Sequence, residues 1–198
     1  MKILRRIHYN SPVVLTFALL SLAVLICGEL TGGQSTTKFF CVYRSSLSDP
    51  LTYPRFLLHI LGHSGYEHYI RNMLLLLVVG PPLEEKYGSK SLLMAIIITA
   101  FTSGIIQWAV FQRQGLLGAS GIVFMMIVMS SLAGMRDRSI PLTLVLVAVF
   151  YLGREVLDGI LKKDDISQIT HIVGGMCGAV IGYALSGKKT SALQSLKQ

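Results

Sequence analysis

Charged residues are scarce in this sequence. Only 14% of its 198 residues are Asp, Glu, Lys or Arg, whereas a soluble domain carries about 25%. Cysteine is scarcer still: Cys27 and Cys177 lie in apolar blocks, and Cys41 stands alone in a polar stretch. Three cysteines so placed form no disulfide framework. These shortages argue against an ordinary soluble domain and against a small disulfide-stabilised scaffold.

Hydrophobic residues make up 52% of the chain and gather in blocks long enough to cross a bilayer, which takes about 20 helical residues. The first block, VVLTFALLSLAVLICG, follows Lys2, Arg5 and Arg6. It has the length of a span and no small-residue cleavage site, so we expect no cleaved signal peptide. The net charge of +8 suits nucleic acid or the cytoplasmic flanks of membrane spans. The apolar blocks favour the second explanation, and we expect a polytopic membrane protein without a nucleic-acid partner.

Six membrane spans are predicted from these blocks. The first begins with Ser11 as helix cap and Pro12 at the first helical position. The second, MLLLLVVGPPL, is too short to cross and must extend back to about Tyr66, with Pro81 and Pro82 at its far end. The spans cover about 12–28, 66–82, 91–111, 116–135, 140–157 and 167–186, the last ended by Gly187 and two lysines. The polar stretch 29–55 is the longest connection.

Basic residues set the predicted orientation. With the N-terminus inside, ten of them lie in short inner segments, and the longer outer segments hold fewer, so the positive-inside rule places both termini in the cytoplasm. The ten are Lys2, Arg5, Arg6, Lys86, Lys90, Arg136, Arg138, Lys188, Lys189 and Lys197. The fold class is therefore an all-α membrane protein, a six-helix bundle over 12–186 with a basic N-terminus (1–11) and a basic tail (187–198). We expect a multi-pass protein of a bacterial plasma membrane.

In this topology, polar residues from four spans reach one layer near the outer surface. The second, fourth and sixth spans enter from outside, and the third ends there. Polar groups inside a membrane are costly, so they usually mark a function. The residues of this layer are His68, Asn72, Ser103, Gln107, Ser120 and His171.

Two explanations compete for Ser120, which lies in GLLGASGIVFMM. Serine in a run of small residues is usually a packing residue, because Gly, Ala and Ser let helices approach closely. Serine is also a nucleophile when a base such as histidine is near, and His171 is predicted at a similar depth. At the start of a helix, the Ser120 N–H can also stabilise an oxyanion.

The sixth span supports a close approach of helices. Glycines follow His171 at helical spacing and leave one face of the span almost bare; with Gly121 of the fourth span they are predicted packing positions. These glycines are Gly174, Gly175, Gly178 and Gly182. The same packing would bring His171 within hydrogen-bond reach of Ser120.

His68 and Asn72 are four residues apart and share a helical face. Both side chains can donate hydrogen bonds, which suits an oxyanion hole. The alternative is that they only tie the long connection to the bundle.

Several motifs in the right order give the chain a resemblance to the rhomboid family of intramembrane serine proteases. GASG matches that family's G-x-S-G, and HIVGGMCG matches its last-span histidine followed by glycines. HILGHSGYEHYIRN matches its histidine-rich start of the second span, and GPPLEEKYGS resembles its G-x-x-x-E-x-x-x-G-S turn, with Glu84 and Gly88 aligned. The resemblance covers all six spans, roughly residues 12–186.

Two positions depart from the family pattern. Many members have a Trp-Arg pair in the first outer loop; here Arg55 fits the arginine, but Pro54 stands where the tryptophan would anchor that loop. An aromatic residue four positions after the serine, often tyrosine, packs beneath the histidine in relatives. Here it is Phe124, which can stack on His171 without donating a hydrogen bond, and we expect this to be tolerated.

The resemblance implies that Ser120 is the nucleophile and His171 the general base. Asp158, Asp164 and Asp165 follow the fifth span, but nothing places one behind the histidine, so a dyad is the simpler prediction. The oxyanion would be held by the Ser120 N–H with His68 and Asn72. Candidates for retaining water or supporting the site are His59, His63, Ser103, Gln107 and Phe124.

The implied partners are the lipid bilayer and a transmembrane protein substrate cut near its outer end, helped by helix-weakening Gly or Pro and by a small residue at P1. No metal or organic cofactor is implied. A metalloprotease is a weak rival because His59-x-x-x-His63 has Ile60 where the catalytic glutamate would follow. A rhomboid-like protein that escorts clients without cutting would lack the serine or the histidine. A transporter would show charged pairs at mid-membrane or a repeated half, and neither is evident.

Overall fold

The computed structural model describes residues 9–112, 114–133, five helical positions between 142 and 150, and 165–195. Its helices are α1 (Pro12–Leu30), α2 (Gln34–Phe39), α3 (Thr52–Leu58), a 3₁₀ turn (His59–Leu61), α4 (Tyr66–Tyr87), α5 (Ser89–Val110), α6 (Ser120–Ala133) and α7 (Asp165–Ser195). Within the described ranges, the extended structure is a single antiparallel bridge between Val42 and Leu116. The long helices coincide with predicted spans one to four and six.

Helix α6 is the central element of the bundle. Its buried face covers almost its whole circumference, as expected for a helix that is hydrophobic all round. It packs most extensively against α7 and next against α4, while α5 also contacts α7 and α1 contacts α4. Buried Met125, Met126 and Met129 of α6 meet Leu76 of α4 and Leu92 of α5 in the shared core.

The outer faces of the long helices expose large apolar side chains. Leu19 and Leu20 on α1, Leu74 and Val78 on α4, and Phe101 on α5 are exposed. Among the described helices, α1 and α5 are long and apolar enough to cross a membrane, and α6 and Thr170–Leu185 are shorter apolar helices. A lipid bilayer is the environment that suits such surfaces. Six spans and cytoplasmic termini stay predictions.

The start of α1 is stabilised by Glu84 of α4 and not by the side chain of Ser11. Ser11 occupies the cap position and Pro12 follows, as predicted, but the serine side chain makes no capping hydrogen bond. The backbone N–H groups of Val13 and Val14 instead donate to the two carboxylate oxygens of Glu84, at 2.9 and 3.0 Å. A carboxylate satisfies the free N–H groups of a helix end and complements its dipole, which explains the glutamate of the GPPLEEKYGS motif.

Helix α4 begins at Tyr66 as predicted, but Pro81 and Pro82 do not end it. Both prolines lie inside the helix, which continues to Tyr87. Each proline removes one backbone hydrogen bond, yet the following turn holds buried Leu83 and Glu84 in place. The chain then turns at Gly88, whose φ of +83° favours glycine.

Three further boundaries differ from the prediction. Helix α6 begins at Ser120 and not near Leu116, because Leu116 is extended and exchanges two backbone hydrogen bonds with Val42 at 2.8 and 2.9 Å. Helix α7 passes through Gly187 and the two lysines, since one glycine costs only about 1 kcal/mol in a helix and lysine is a good helix former. The polar stretch 29–55 contains α2 and the start of α3.

Several predicted features lie outside the described residues. They are most of the fifth span with Asp158 and Asp164, and the basic residues Lys2, Arg5, Arg6, Arg136, Arg138 and Lys197.

Candidate active site

The turn that precedes Ser120 is held from three directions. The backbone N–H of Gly118 donates to the His59 carbonyl at 2.9 Å. The Gln107 side-chain amide of α5 donates to the Gln114 carbonyl at 2.9 Å, and Leu116 pairs with Val42. Gly118 has a φ of +120°, a conformation that only glycine adopts readily. Gln107, predicted to retain water, thus also fixes the segment leading into α6.

Both predicted oxyanion donors pack against this turn. A Cβ atom added at Gly118 would lie 2.8 Å from Nε2 of His68 and 3.8 Å from Nδ2 of Asn72. Glycine at this position therefore makes room for the His68 ring beside the backbone two residues before Ser120, with Asn72 close by. The i, i+4 spacing on α4 brings the two side chains to one place, as predicted.

The hydrogen bonds of His68 define which ring nitrogen carries the proton. Its Nδ1 lies 3.5 Å from the backbone N of Ser64 and 3.1 Å from the Ser64 hydroxyl. A backbone N–H can only donate, so Nδ1 is the acceptor and the neutral ring carries its proton on Nε2. That proton faces the Gly118 turn. Ser64 was not singled out from the sequence, although its position four residues before His68 is the signal that would have found it.

Asn72 is buried, with a side chain that reaches the same turn. Among the described residues, its Nδ2 atom is a buried donor without a hydrogen-bond partner. An unsatisfied buried donor costs stability, and this one is available to hydrogen-bond a bound substrate.

Helices α6 and α7 approach each other through glycines directly beside Ser120. A Cβ atom added at Gly174 would lie 2.3 Å from the Gly121 carbonyl oxygen, and one added at Gly121 would lie 2.8 Å from Cγ2 of Thr170. Gly121 follows Ser120, and Thr170 precedes His171. The serine and the histidine therefore lie at the same end of one tight helix interface.

Phe124 and His171 are in contact across this interface, as the sequence predicts. Their ring centroids are 6.1 Å apart, with planes inclined by 60°. A Cβ atom added at Gly175 would lie 2.7 Å from the Phe124 ring. The glycine thus makes room for the aromatic ring, which packs against the buried imidazole.

The close approach of α6 and α7 continues to Gly178, where an added Cβ atom would lie 2.5 Å from the Met125 carbonyl oxygen. It is looser at Gly182, where the added atom would lie 3.1 Å from the end of the Leu132 side chain. All the glycines predicted to pack helices therefore lie in the α6–α7 interface.

His59 and Ser103 form a buried polar pair between the 3₁₀ turn and α5. The Nε2 atom of His59 lies 3.1 Å from the Ala100 carbonyl and 3.4 Å from the Ser103 hydroxyl. A carbonyl only accepts, so Nε2 carries the proton and Nδ1 is an acceptor. Within the described part of the chain, this Nδ1 atom has no hydrogen-bond partner. Burial lowers the pKa of His59 to about 4, which keeps the ring neutral.

His63 packs against the ring of His68. Its ring centroid is 5.0 Å from that of His68, and its Nδ1 donates to the Leu61 carbonyl at 3.1 Å. His59 and His63 bond to different carbonyls. In the described ranges, no group of three or more His, Cys, Asp or Glu side chains could hold a metal ion.

Ser120 lines an open cavity of about 880 Å³ at the end of the bundle where α4 and α6 begin. Ser120 is half-buried, whereas His171 is 4% exposed. The other lining residues are Ser64, Gly65, Tyr66, Glu67, His68, Arg71, Gln114, Gly115, Leu116 and Leu117. The cavity is large enough for an extended stretch of several residues.

Arg55 organises the connection between α1 and α4 without a neighbouring tryptophan. Its buried guanidinium forms an ion pair with Asp49 at 3.0 Å, donates to the Lys38 carbonyl at 2.8 Å and lies 4.6 Å from the Tyr43 ring centroid. The single tryptophan, Trp108 of α5, contacts the same connection from the other side, where Arg44 stacks on it.

The fold and site together define a helical membrane protein with a serine at a helix start, a buried histidine and two converging donors. Comparison with known proteins agrees, because the rhomboid domain profile matches residues 50–188. The chain belongs to the rhomboid family.

The relatives include proteases from bacteria. The chain is 26% identical over 178 residues to rhomboid protease GlpG of Serratia proteamaculans, covering 87% of this chain and 62% of that protein. It is 26% identical over 192 residues to rhomboid protease GluP of Bacillus subtilis, covering 91% and 37%. Rhomboid-related protein 2 of Mus musculus is 26% identical over 161 residues, covering 70% and 53%. The chain thus spans at most about three fifths of these relatives.

Proposed function

We propose that this protein is an intramembrane serine endopeptidase that cleaves transmembrane segments of other membrane proteins near the outer face. One observation supports the proposal: the His68 ring packs against the turn before Ser120 and Asn72 lies close to it, each with an N–H free to donate. Two such donors near a serine at a helix start suit an oxyanion site. A bacterial plasma membrane is its proposed location, as the bacterial relatives favour.

The proposed chemistry uses a Ser-His dyad. The Ser120 hydroxyl attacks a peptide carbonyl while His171 takes its proton, and the tetrahedral oxyanion accepts hydrogen bonds from the Ser120 N–H, His68 and Asn72. The C–N bond then breaks, and His171 returns the proton to the leaving amine. Water hydrolyses the acyl-enzyme with His171 again as base. The unsatisfied Nδ1 acceptor of buried His59 suits an ordered water inside the bundle.

The proposed substrate is a single-span membrane protein. A regular helix hides its carbonyls in hydrogen bonds, so Gly or Pro near the cut would help the strand unwind into the cavity. The His68 ring packs closely against the turn beside Ser120, which favours a small residue at P1.

The test is cleavage of a single-span reporter by the purified protein in detergent and in lipid vesicles. Ser120→Ala and His171→Ala should abolish cleavage, and Asn72→Ala should lower kcat/KM by about a hundredfold to a thousandfold. Ser131→Ala is the matched control, because Ser131 lies about three turns further along α6 and only donates to the Ile127 carbonyl.

Two results would contradict this proposal. Equal cleavage by wild type and both dyad variants would assign the activity to another site or protein. Co-purification of the reporter without cleavage would favour a protein that binds or escorts membrane clients.

A further inference from the structure

An ion pair lies in the wall of the cavity that Ser120 lines. Glu67 and Arg71 of α4 both face this cavity, and the Arg71 guanidinium contacts the Glu67 carboxylate. The pair is open to the cavity: the Glu67 side chain is 80% exposed and the Arg71 side chain 65% exposed. The dyad and the oxyanion donors account for neither residue.

Glu67 and Arg71 differ in how their positions in α4 affect their charges. Glu67 lies in the first turn of α4, where a negative charge is stabilised by the helix dipole. Arg71 lies more than one turn further in, beyond the first turn in which the dipole acts, so its position gives its charge no such support. Glu67 is therefore stabilised by its position as well as by Arg71, and the exposed guanidinium of Arg71 is available to another carboxylate.

We infer that Arg71 selects substrates that carry an acidic residue close to the cleaved bond, and that Glu67 occupies the guanidinium until the substrate enters. This rests on the proposed function. A guanidinium offers a planar fork that matches a carboxylate in two parallel hydrogen bonds. An exposed i, i+4 pair is weak, so a substrate carboxylate can replace Glu67 on Arg71 at little cost.

The position of Arg71 limits which substrate residues it can select to those near the cleaved bond. It is adjacent in sequence to Asn72, which packs against the turn before Ser120. A substrate bound for attack on its carbonyl must cross this part of the cavity. The carboxylate that Arg71 binds should therefore lie within a few residues of the scissile bond, and a lysine there would be repelled.

The test uses single-span reporters that differ at one position. Asp, Asn or Lys is placed in turn at each of about five positions on either side of the cleaved bond, and kcat/KM is measured in vesicles. The Asp and Asn reporters have the same shape, so their ratio reports charge. For the wild type we expect a ratio of about ten at one or two neighbouring positions.

Three variants test whether Arg71 causes the preference for Asp over Asn. Arg71→Gln should bring the Asp/Asn ratio to about one, and Arg71→Glu should favour Lys over Asp. Glu67→Gln should raise the ratio about twofold, because it removes a competing carboxylate. Lys38→Gln is the matched control: it removes a positive charge from exposed α2, outside the residues that line the cavity, and should keep the wild-type ratio.

The outcomes separate this inference from the proposed function, with Ser120→Ala run in parallel. Ser120-dependent cleavage with equal Asp and Asn rates at every position would overturn the inference alone. A ratio that falls equally in Lys38→Gln would also overturn it, since bulk charge would then be the cause. Absence of Ser120-dependent cleavage for every reporter would overturn the proposed function and this inference with it.

Discussion

Gly174→Ala tests whether the closeness of α6 and α7 positions the dyad. The added methyl group would lie 2.3 Å from the Gly121 carbonyl oxygen, 3.1 Å from its carbonyl carbon and 3.2 Å from its Cα, whereas ordinary contact begins at 3.4 Å. The atoms in the way belong to the backbone of α6, so no side-chain rotation relieves the clash. The helices must separate by about 1 Å at this level.

The clash should lower catalysis as well as stability. Gly121 follows Ser120, and Gly174 lies three residues after His171, so the separation moves the serine and the histidine apart. A misplacement of about 1 Å can cost about a hundredfold in rate, and we expect that loss in kcat/KM. Overpacking of this kind costs roughly 1–3 kcal/mol of stability, which leaves the protein folded at the assay temperature.

Gly182→Ala is the matched control on the same face of the same helix. Its methyl group would meet the end of the Leu132 side chain at 3.1 Å, which can move by a few tenths of an ångström. Both variants should be assayed for cleavage of the single-span reporter and for their unfolding midpoints in detergent. Wild-type cleavage by Gly174→Ala, or equal loss in both variants, would refute the positioning argument.

Three other predictions concern the supports of the site. Glu84→Gln should lower the free energy of unfolding by about 1–2 kcal/mol, because one of the two acceptors at the start of α1 is lost; exposed Glu85→Gln should not, as thermal unfolding will show. Gln107→Leu should remove a hydrogen bond worth about 1 kcal/mol and speed amide hydrogen exchange in the turn before Ser120. Burial lowers the pKa of His59 to about 4, so the unfolded chain binds more protons between pH 4 and 6.5. Stability should therefore fall as the pH is lowered through that window, and less steeply in His59→Gln.

Most of the long helices were predictable because their apolar blocks are about as long as a bilayer crossing requires, whereas α4 was found by extending its short apolar block back to Tyr66. Their ends were less predictable, because contacts distant in sequence decide them. Nothing near Ser11 shows that Glu84, seventy residues away, accepts the hydrogen bonds of the Val13 and Val14 N–H groups. Likewise, the pairing of Val42 with Leu116 delays α6 until Ser120.

The residues of the candidate site were predictable from helical spacing and depth, whereas the hydrogen bonds that fix their positions were not. The i, i+4 spacing of His68 and Asn72 already implied a shared face. The proton on Nε2 of His68, however, follows from the hydrogen bonds of Ser64. Similarly, the sequence shows only that Gln107 is a polar residue at membrane depth. The fold shows that its side-chain amide donates to the Gln114 carbonyl.

The two explanations for Ser120, helix packing and catalysis, are not alternatives in this fold. A nucleophile in a membrane bundle needs its base and its donors within hydrogen-bond reach, and side chains on the intervening backbone would keep them apart. The His68 ring packs against Gly118 only because that residue has no side chain, and α7 approaches the Gly121 carbonyl at Gly174 for the same reason. The run of small residues that indicates packing is therefore the physical condition for the proposed chemistry. A variant that restores bulk at Gly118 or Gly174 should lose catalysis before it loses the fold.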